Sequence, residues 1–293
     1  EQRRLARARR HLEPHGRQAR AGPGRRPVTS ACRNHAGSEI RSFAGLIART
    51  GIRLAGQAFD ALLPQICVSC SAAVDAGRAP LCGACETRLR EIPAPLCPRC
   101  GFTAFSDLSA PGGCAECDEW PEVLRRTESA FLLSRPATQV IHGLKYEGWT
   151  SLGSRMGALM APAARRVCRG PALLVPVPLT PARLRERGFN QAHLLAEGLG
   201  LELGWPVRSL LARTRTGRRQ ARSGRRTRAG NVAGAFQVAP GCVDSADGSV
   251  VLVDDVITTG ATLAECCRAL GDAGVPCAGA VSFARTPPRS PAA

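Results

Sequence analysis

Eight of the chain's 14 cysteines stand in four C-x-x-C pairs: Cys67/Cys70, Cys82/Cys85, Cys97/Cys100 and Cys114/Cys117. A C-x-x-C turn presents two thiolates at the separation one tetrahedral ion needs. Two such turns close a four-thiolate site with no open position, which makes the site structural. The first quartet reads C-x2-C-x11-C-x2-C and the second C-x2-C-x13-C-x2-C, so each linker has room for a short hairpin. The pattern predicts two zinc ions. Sequential pairing of the turns is favoured over a crossed one, first turn with third, and the spacing leaves both open. The start of the chain lacks the apolar run of a secretory signal, so paired thiols point to metal in a reducing compartment and not to disulfides. The rival reading, a redox C-x-x-C, belongs at the strand–helix junction of a thioredoxin-like unit, and nothing around these pairs resembles one. Residues 64–120 are rich in Pro, Gly and Cys; such a segment cannot build its own apolar core, and metal replaces one. Ribbons of this kind bind nucleic acid, bind protein or brace a fold.

The whole chain has 293 residues, enough for one large domain or two modest ones, and carries a formal net charge of +17. That excess is local. Residues 1–50 hold twelve Arg and three acids, and residues 208–228 hold nine Arg and no acid. Two zinc tetrathiolate centres of −2 each bring the metal-loaded chain to about +13. Only one of the forty basic residues is a lysine, Lys145. With 44% apolar residues a core forms, and with 4% aromatics it is aliphatic. No apolar stretch is long enough to span a membrane.

Residues 1–37 read as a disordered basic extension, with an Arg-rich, acid-poor character shared by transit peptides. Residues 38–63 read as an amphipathic packing helix on Ile40, Phe43, Ile47, Leu54 and Leu62; its five charges argue against stable membrane insertion. From residue 125 to 286, strand and helix patterns alternate. Strands are expected at Ser129–Ser134, Leu173–Pro178, Ala235–Val238, Val250–Asp254 and Cys277–Ala284. Helices are expected at Thr138–Lys145, Leu152–Cys168, Asn190–Leu203 and Ala261–Ala273. Apolar strands alternating with helices predict an α/β domain with a mostly parallel sheet flanked by helices. Residues 287–293 are a Pro-rich tail.

The sharpest chemistry lies in Val250-Val-Leu-Val-Asp254-Asp255-Val-Ile-Thr258-Thr259-Gly260-Ala261-Thr262. An apolar strand delivers two carboxylates at its carboxyl end, where ligands bind in open α/β sheets. The turn that follows is small and hydroxyl-rich and opens a helix, so backbone N–H groups and the positive end of the helix dipole can close on an anion. The acids suit ribose hydroxyls or a magnesium-linked sugar. No Gly-Lys follows, so this is not a Walker loop.

This string resembles the phosphoribosyl pyrophosphate (PRPP) motif of type I phosphoribosyltransferases. Two more segments extend the likeness: Arg185-Glu-Arg187-Gly188-Phe189-Asn190-Gln191-Ala, a basic turn before a helix, and the Arg-rich run from Arg213 to Arg228 followed by Asn231. Together they resemble the ComF family, which joins a Cys-rich zinc module to a transferase domain and is associated with DNA uptake. The resemblance covers residues 60–286. It implies a type I phosphoribosyltransferase fold preceded by a small double zinc ribbon. It implies that Asp254 and Asp255 contact the ribose hydroxyls and that Thr258, Thr259, Gly260, Ala261 and Thr262 hold the 5′-phosphate. Arg185 and Arg187 fall near the leaving pyrophosphate. Lys145, in a stretch resembling the family's L-K-Y-x-G, is a further ligand residue or a surface lysine. Zinc on the eight paired cysteines and magnesium with PRPP are the implied cofactors. Where the family usually has a Leu between Gln220 and Arg225, this chain has Ala-Arg-Ser-Gly, which puts closure of that loop in doubt.

Two classes of function follow. One is a cytoplasmic phosphoribosyltransferase that displaces pyrophosphate from carbon 1 of PRPP, its acceptor unread, its zinc module filling the place of the acceptor-selecting hood. The other is a non-catalytic DNA-processing adaptor whose partners are single-stranded DNA and a DNA translocase or helicase of the uptake machinery. The Arg-rich segment 208–228 is a solvated loop, a lid over the pyrophosphate or a nucleic-acid track; no aromatics interleave with it, which disfavours base stacking. His142 and His193 have no metal or triad spacing and read as structural.

Overall fold

The computed structural model describes residues 65–75, 79–103, 114, 116–118, 120–213, 234–239 and 249–287. The expected basic extension, the helix over 38–63, the segment 214–233 and the end of the tail lie outside the described residues.

The domain is built on four strands: β3 (Thr127–Leu132), β4 (Leu173–Pro176), β7 (Val250–Ile257) and β8 (Cys277–Arg285), counted after a small hairpin β1 (Gln65–Ile66) and β2 (Ala73–Val74). Their order is β3-β8-β7-β4, and all three pairings are parallel. A parallel sheet covered on both faces needs strands that are apolar on both faces, and β7 shows it: Val250, Val251, Leu252 and Val253 are all buried. Side chains alternate along a strand, and here the two faces feed different cores. Val251 and Val253 join one core with Val140, Leu144, Met156 and Leu195, against which the first Cys quartet also packs. Val250 and Leu252 join the other, with Leu263, Cys266 and Phe236 and the second Cys quartet.

The helices are α1 (Gly83–Glu86), α2 (Ala137–Tyr146), α3 (Leu152–Leu159), α4 (Ala161–Val167), α5 (Pro181–Arg187), α6 (Gln191–Leu203) and α7 (Ala261–Asp272). The single helix expected over Leu152–Cys168 is two, because Pro162 enters the first turn of α4 and lacks the N–H that would continue the ladder. The segment expected as a basic turn is helix α5. Thr180 caps it by accepting from Arg183 N at 3.3 Å, Pro181 starts it, and Gly188 ends it at φ 80°. The β7 strand also runs three residues past its expected end, through Ile257. A third sheet that the sequence did not announce pairs β5 (Leu211–Arg213) antiparallel with β6 (Phe236–Val238).

Both cysteine modules are fastened to this domain. On the first, Ser69 Oγ donates to Gln139 Oε1 at 2.9 Å, and Gln139 Nε2 donates back to Ser69 O at 3.2 Å. Val68 lies so close to Gly143 of α2 that a Cβ there would come within 2.5 Å of its methyl. The chain between the modules pairs with β3, through Glu91 opposite Phe131 and Leu132 N donating to Arg90 O at 2.7 Å; this covers the edge that β3 would otherwise leave open. On the second module, Thr127 Oγ1 donates to Cys100 O at 3.1 Å, and Arg285 Nη1 donates to the same carbonyl at 2.6 Å. No described helix is long and apolar enough to cross a membrane.

Candidate functional site

The two Cys quartets are settled as sequential. The Sγ atoms of Cys67, Cys70, Cys82 and Cys85 all lie within 4.8 Å of one another, as do those of Cys97, Cys100, Cys114 and Cys117. A zinc ion with Zn–S of about 2.3 Å at the centre of a tetrahedron sets its sulfurs about 3.8 Å apart. The pairs Cys70–Cys82, Cys97–Cys117 and Cys100–Cys114 stand at 3.6, 3.9 and 3.8 Å. Four thiols at this spacing cannot all ionise on their own. Burial and the neighbouring sulfurs push Cys85 and Cys100 up to about 12, and Cys117 is driven higher still. Cys67 and Cys97 go the other way: burial raises both, but hydrogen bonds from backbone N–H groups bring Cys67 down to about 6 and lower Cys97 as well. A divalent cation is what lets the whole quartet ionise, so the donor sets fit zinc.

The second module reaches the predicted phosphate turn. Gly260 sits at φ 70°, in the left-handed region, and a Cβ there would come within 3.1 Å of both Trp120 and Leu124. The left-handed backbone favours glycine here, and a side chain would also crowd the tryptophan wall. Next to it, Arg285 is 1% exposed and lies between the rings of Phe102 and Trp120, 4.9 Å from each centroid. Thr258 and Thr259 are exposed, and Ala261 and Thr262 open α7 half-buried. No side chain caps the first N–H groups of α7, so among the described residues they are left to water or an anion.

The two acids lie within β7, which continues past them to Ile257. Strand alternation starts them toward opposite faces of the sheet, and their carboxyls stay in side-chain hydrogen-bond contact with each other. Asp255, 4% exposed, points to the α2 side and forms an ion pair with Lys145 Nζ. Asp254 falls on the α7 side, where its electrostatic neighbours include Arg213 and Cys266; its Oδ1 accepts from Asp255 N at 2.9 Å. Burial, then the charge of Asp255, hold the Asp254 carboxyl well above the usual carboxylate range, with Lys145 pulling the other way. Arg213 was missed in the sequence as an individual residue. It stacks 5.1 Å over Phe236 and is lowered by burial, then by Arg183. Nothing in a run of arginines marks which one turns inward.

The basic R-E-R-G-F-N-Q-A stretch is a helix–helix corner. Asn190 caps α6 by accepting from Ala192 N at 3.1 Å and donates to Val177 O at 3.1 Å. Arg185 is exposed. Arg187 donates to buried Gln191 and lies 5.5 Å over the ring of Tyr146, the residue after Lys145. His142 and His193 pair with Glu147 and Glu197 on the surface.

The raised carboxyl of Asp254 has a consequence for stability. Its folded value exceeds the unfolded one of about 3.9, so above that pH the folded state binds the extra proton and stability falls as pH rises through the folded value. Asp254→Asn removes this cost. Its thermal midpoint is expected to exceed the wild type's, and the gain is expected to grow as pH rises above the unfolded carboxylate value. Scanning calorimetry across that range checks it; a midpoint gain that is flat or negative throughout contradicts the assignment.

Comparison with known proteins is consistent with this geometry. A double zinc ribbon model matches residues 58–120, and a phosphoribosyl transferase domain model matches residues 218–291. The DNA utilization protein YhgH of Salmonella typhimurium is 30% identical over 180 residues, 59% of this chain and 76% of the relative. The chain belongs to the ComF family. Other members that match are the competence protein ComFC of Bacillus subtilis, 28% identical over 174 residues (55% of this chain, 67% of the relative), and competence protein F of Haemophilus influenzae, 32% identical over 146 residues (48% and 64%). In this ComF member the ribbons and the transferase-type sheet are parts of one packed unit, one ribbon against the helix that bears Lys145 and the other against Gly260 at the start of α7.

Proposed function

We propose that this protein binds PRPP with magnesium and transfers its phosphoribosyl group, in the cytoplasm, where eight paired thiols stay reduced. The observation that carries the reading is the uncapped start of α7, which follows Asp254 and Asp255 on a central parallel strand and is opened by Thr258, Thr259 and Gly260. In the proposed complex the turn through Thr262 holds the 5′-phosphate on backbone N–H groups. Asp254 and Asp255 meet the ribose side. Arg185 and Arg187 on α5 lie toward the departing pyrophosphate, and Lys145 is the cation nearest the acids. Positioning and charge neutralisation are the protein's contribution to an oxocarbenium-like displacement at carbon 1. A magnesium ion carried on the pyrophosphate would fit these residues better than one held between the carboxylates, since Lys145 already neutralises Asp255. The Trp120–Leu124 wall beside Gly260 supports the second ribbon as the hood on the acceptor side.

Calorimetric titration of the zinc-loaded protein with Mg-PRPP tests this. Saturable binding is expected, weakened about 100-fold or more in Asp254→Asn/Asp255→Asn, the loss of two hydrogen bonds to charged groups. No heat from a folded, zinc-loaded wild type overturns the reading. It would transfer weight to the second one, an adaptor in DNA uptake that binds single-stranded DNA and a DNA translocase through the ribbons and the Arg-rich segment. That second reading is favoured by the names of the relatives, a DNA utilization protein and two competence proteins.

A further inference from the structure

Consecutive carboxylates at the carboxyl end of a strand ordinarily invite a divalent cation. In this chain one of the two already has a partner. Asp255 is buried, its side chain 6% exposed, and the ammonium of Lys145 is on it, itself only 19% exposed. The lysine is not a wandering surface group. It stands in the last turn of α2, between Leu144 in the core and Tyr146. That helix is pinned from outside by the first zinc module, through the two-way Ser69–Gln139 hydrogen bonds and the contact of Val68 with Gly143. The scaffold therefore delivers one positive charge to Asp255 in advance. Removing it would leave a buried, unpaired carboxylate, a costly state that recruits another cation.

We propose that Lys145 is the resident counter-charge of Asp255 and keeps the acid pair closed to divalent metal, so that metal enters the site only on an anionic ligand. This deepens the PRPP reading of the same site: the flexible lysine stem lets the ammonium leave Asp255 for an arriving phosphoryl oxygen, and the metal that comes with the ligand need not be bound first. Asp254 touches Asp255 through a side-chain hydrogen bond and feels the same lysine, with Arg213 a further charged neighbour.

The test uses the full, zinc-loaded chain and Mn2+ alone, followed by the electron paramagnetic resonance signal of free Mn2+, with no PRPP present. The wild type is expected to take up no Mn2+ that depends on Asp255. Lys145→Met, which keeps the length of the stem, gains one site, with affinity at least about tenfold above wild type, and Lys145→Met/Asp255→Asn loses it again. Lys145→Arg keeps the charge and stays closed. Lys145→Gln stands in for the Met variant if zinc content or circular dichroism shows that the latter does not fold. An Asp255-dependent Mn2+ site in the wild type, no gain in either neutral variant, or a site opened by Lys145→Arg each overturns the proposal. Because this assay contains no PRPP, it is separate from the Mg-PRPP titration: failure of that titration with the Mn2+ result intact removes the PRPP reading and leaves the counter-charge.

Discussion

Cys100→Ala is expected to give no soluble folded protein, whereas Cys70→Ala gives a folded chain that has lost one zinc. The two quartets look alike in spacing but differ in what they hold up. All four cysteines of the second are buried, while Cys70 of the first is exposed and Cys82 half-exposed. The second quartet belongs to the core beneath Trp120, Leu124 and the α7 face of the sheet. Zinc bound at a four-thiolate site contributes about 10–16 kcal/mol of apparent folding free energy, more than the whole net stability of an ordinary domain. Losing it where the sheet rests on it is not survivable. The first quartet sends Cys67 and Cys85 into the other core, and its module is otherwise fastened to α2 through Ser69–Gln139 and to α3 through the Glu86–Arg155 ion pair. Chelation followed by zinc release and circular dichroism checks this. Two kinetic phases are expected, with helical signal lost only in the second. Loss of all structure with the first equivalent, or a folded Cys100→Ala, contradicts it.

Arg285→Met, with both zinc ions in place, is expected to cost about 3–5 kcal/mol, the usual penalty for removing one partner of a buried charge pair. Arg285 is fully enclosed, and no carboxylate among the described residues pairs with it. Its neighbouring negative charge is the thiolate of Cys100, which it stabilises against burial, and behind that a tetrathiolate centre of −2. The guanidinium also fills one carbonyl, Cys100 O, and two ring faces. Arg285→Lys is not expected to restore the loss, because a point charge cannot span two rings and a carbonyl at once. Urea unfolding of the three proteins measures it; a lysine variant as stable as wild type, or a Met variant within about 1 kcal/mol of it, shows that the cluster does not need the planar cation.

What the sequence made legible was local. The C-x-x-C turns carry their own geometry, the Val-rich strand β7 reads as buried on both faces, and the Thr-Thr-Gly turn announces a helix start. The misreadings came from competing local signals. The charges of 181–187 suggest a turn, whereas the cap at Thr180-Pro181 and the end at Gly188 make it a helix. The apolar periodicity over 152–168 suggests one helix, and Pro162 divides it in two. Other features could not be read at all, since they depend on the fold. That Asp254 and Asp255 lie within β7 and not at its end follows from how far the strand runs, which its pairing with β8 decides. The Lys145–Asp255 pair joins residues 110 positions apart in sequence. Arg213 is told from its neighbours only by the hairpin that turns it over Phe236.

The bond from Arg285 to Cys100 spans 185 positions, and this sets an order on synthesis. The ribbons leave the ribosome first and can take up zinc at once, yet the cation that balances the second centre is on the last strand of the sheet. Until β8 emerges, the nascent chain carries a charged, half-covered metal cluster with Trp120 and Phe102 unpacked. Closure of the domain is then a single late event, in which the end of the sheet locks onto its beginning. Domains that depend on contacts this distant fold slowly and present apolar surface for longer, so the interval between zinc uptake and release of β8 is when this chain most needs protection from aggregation.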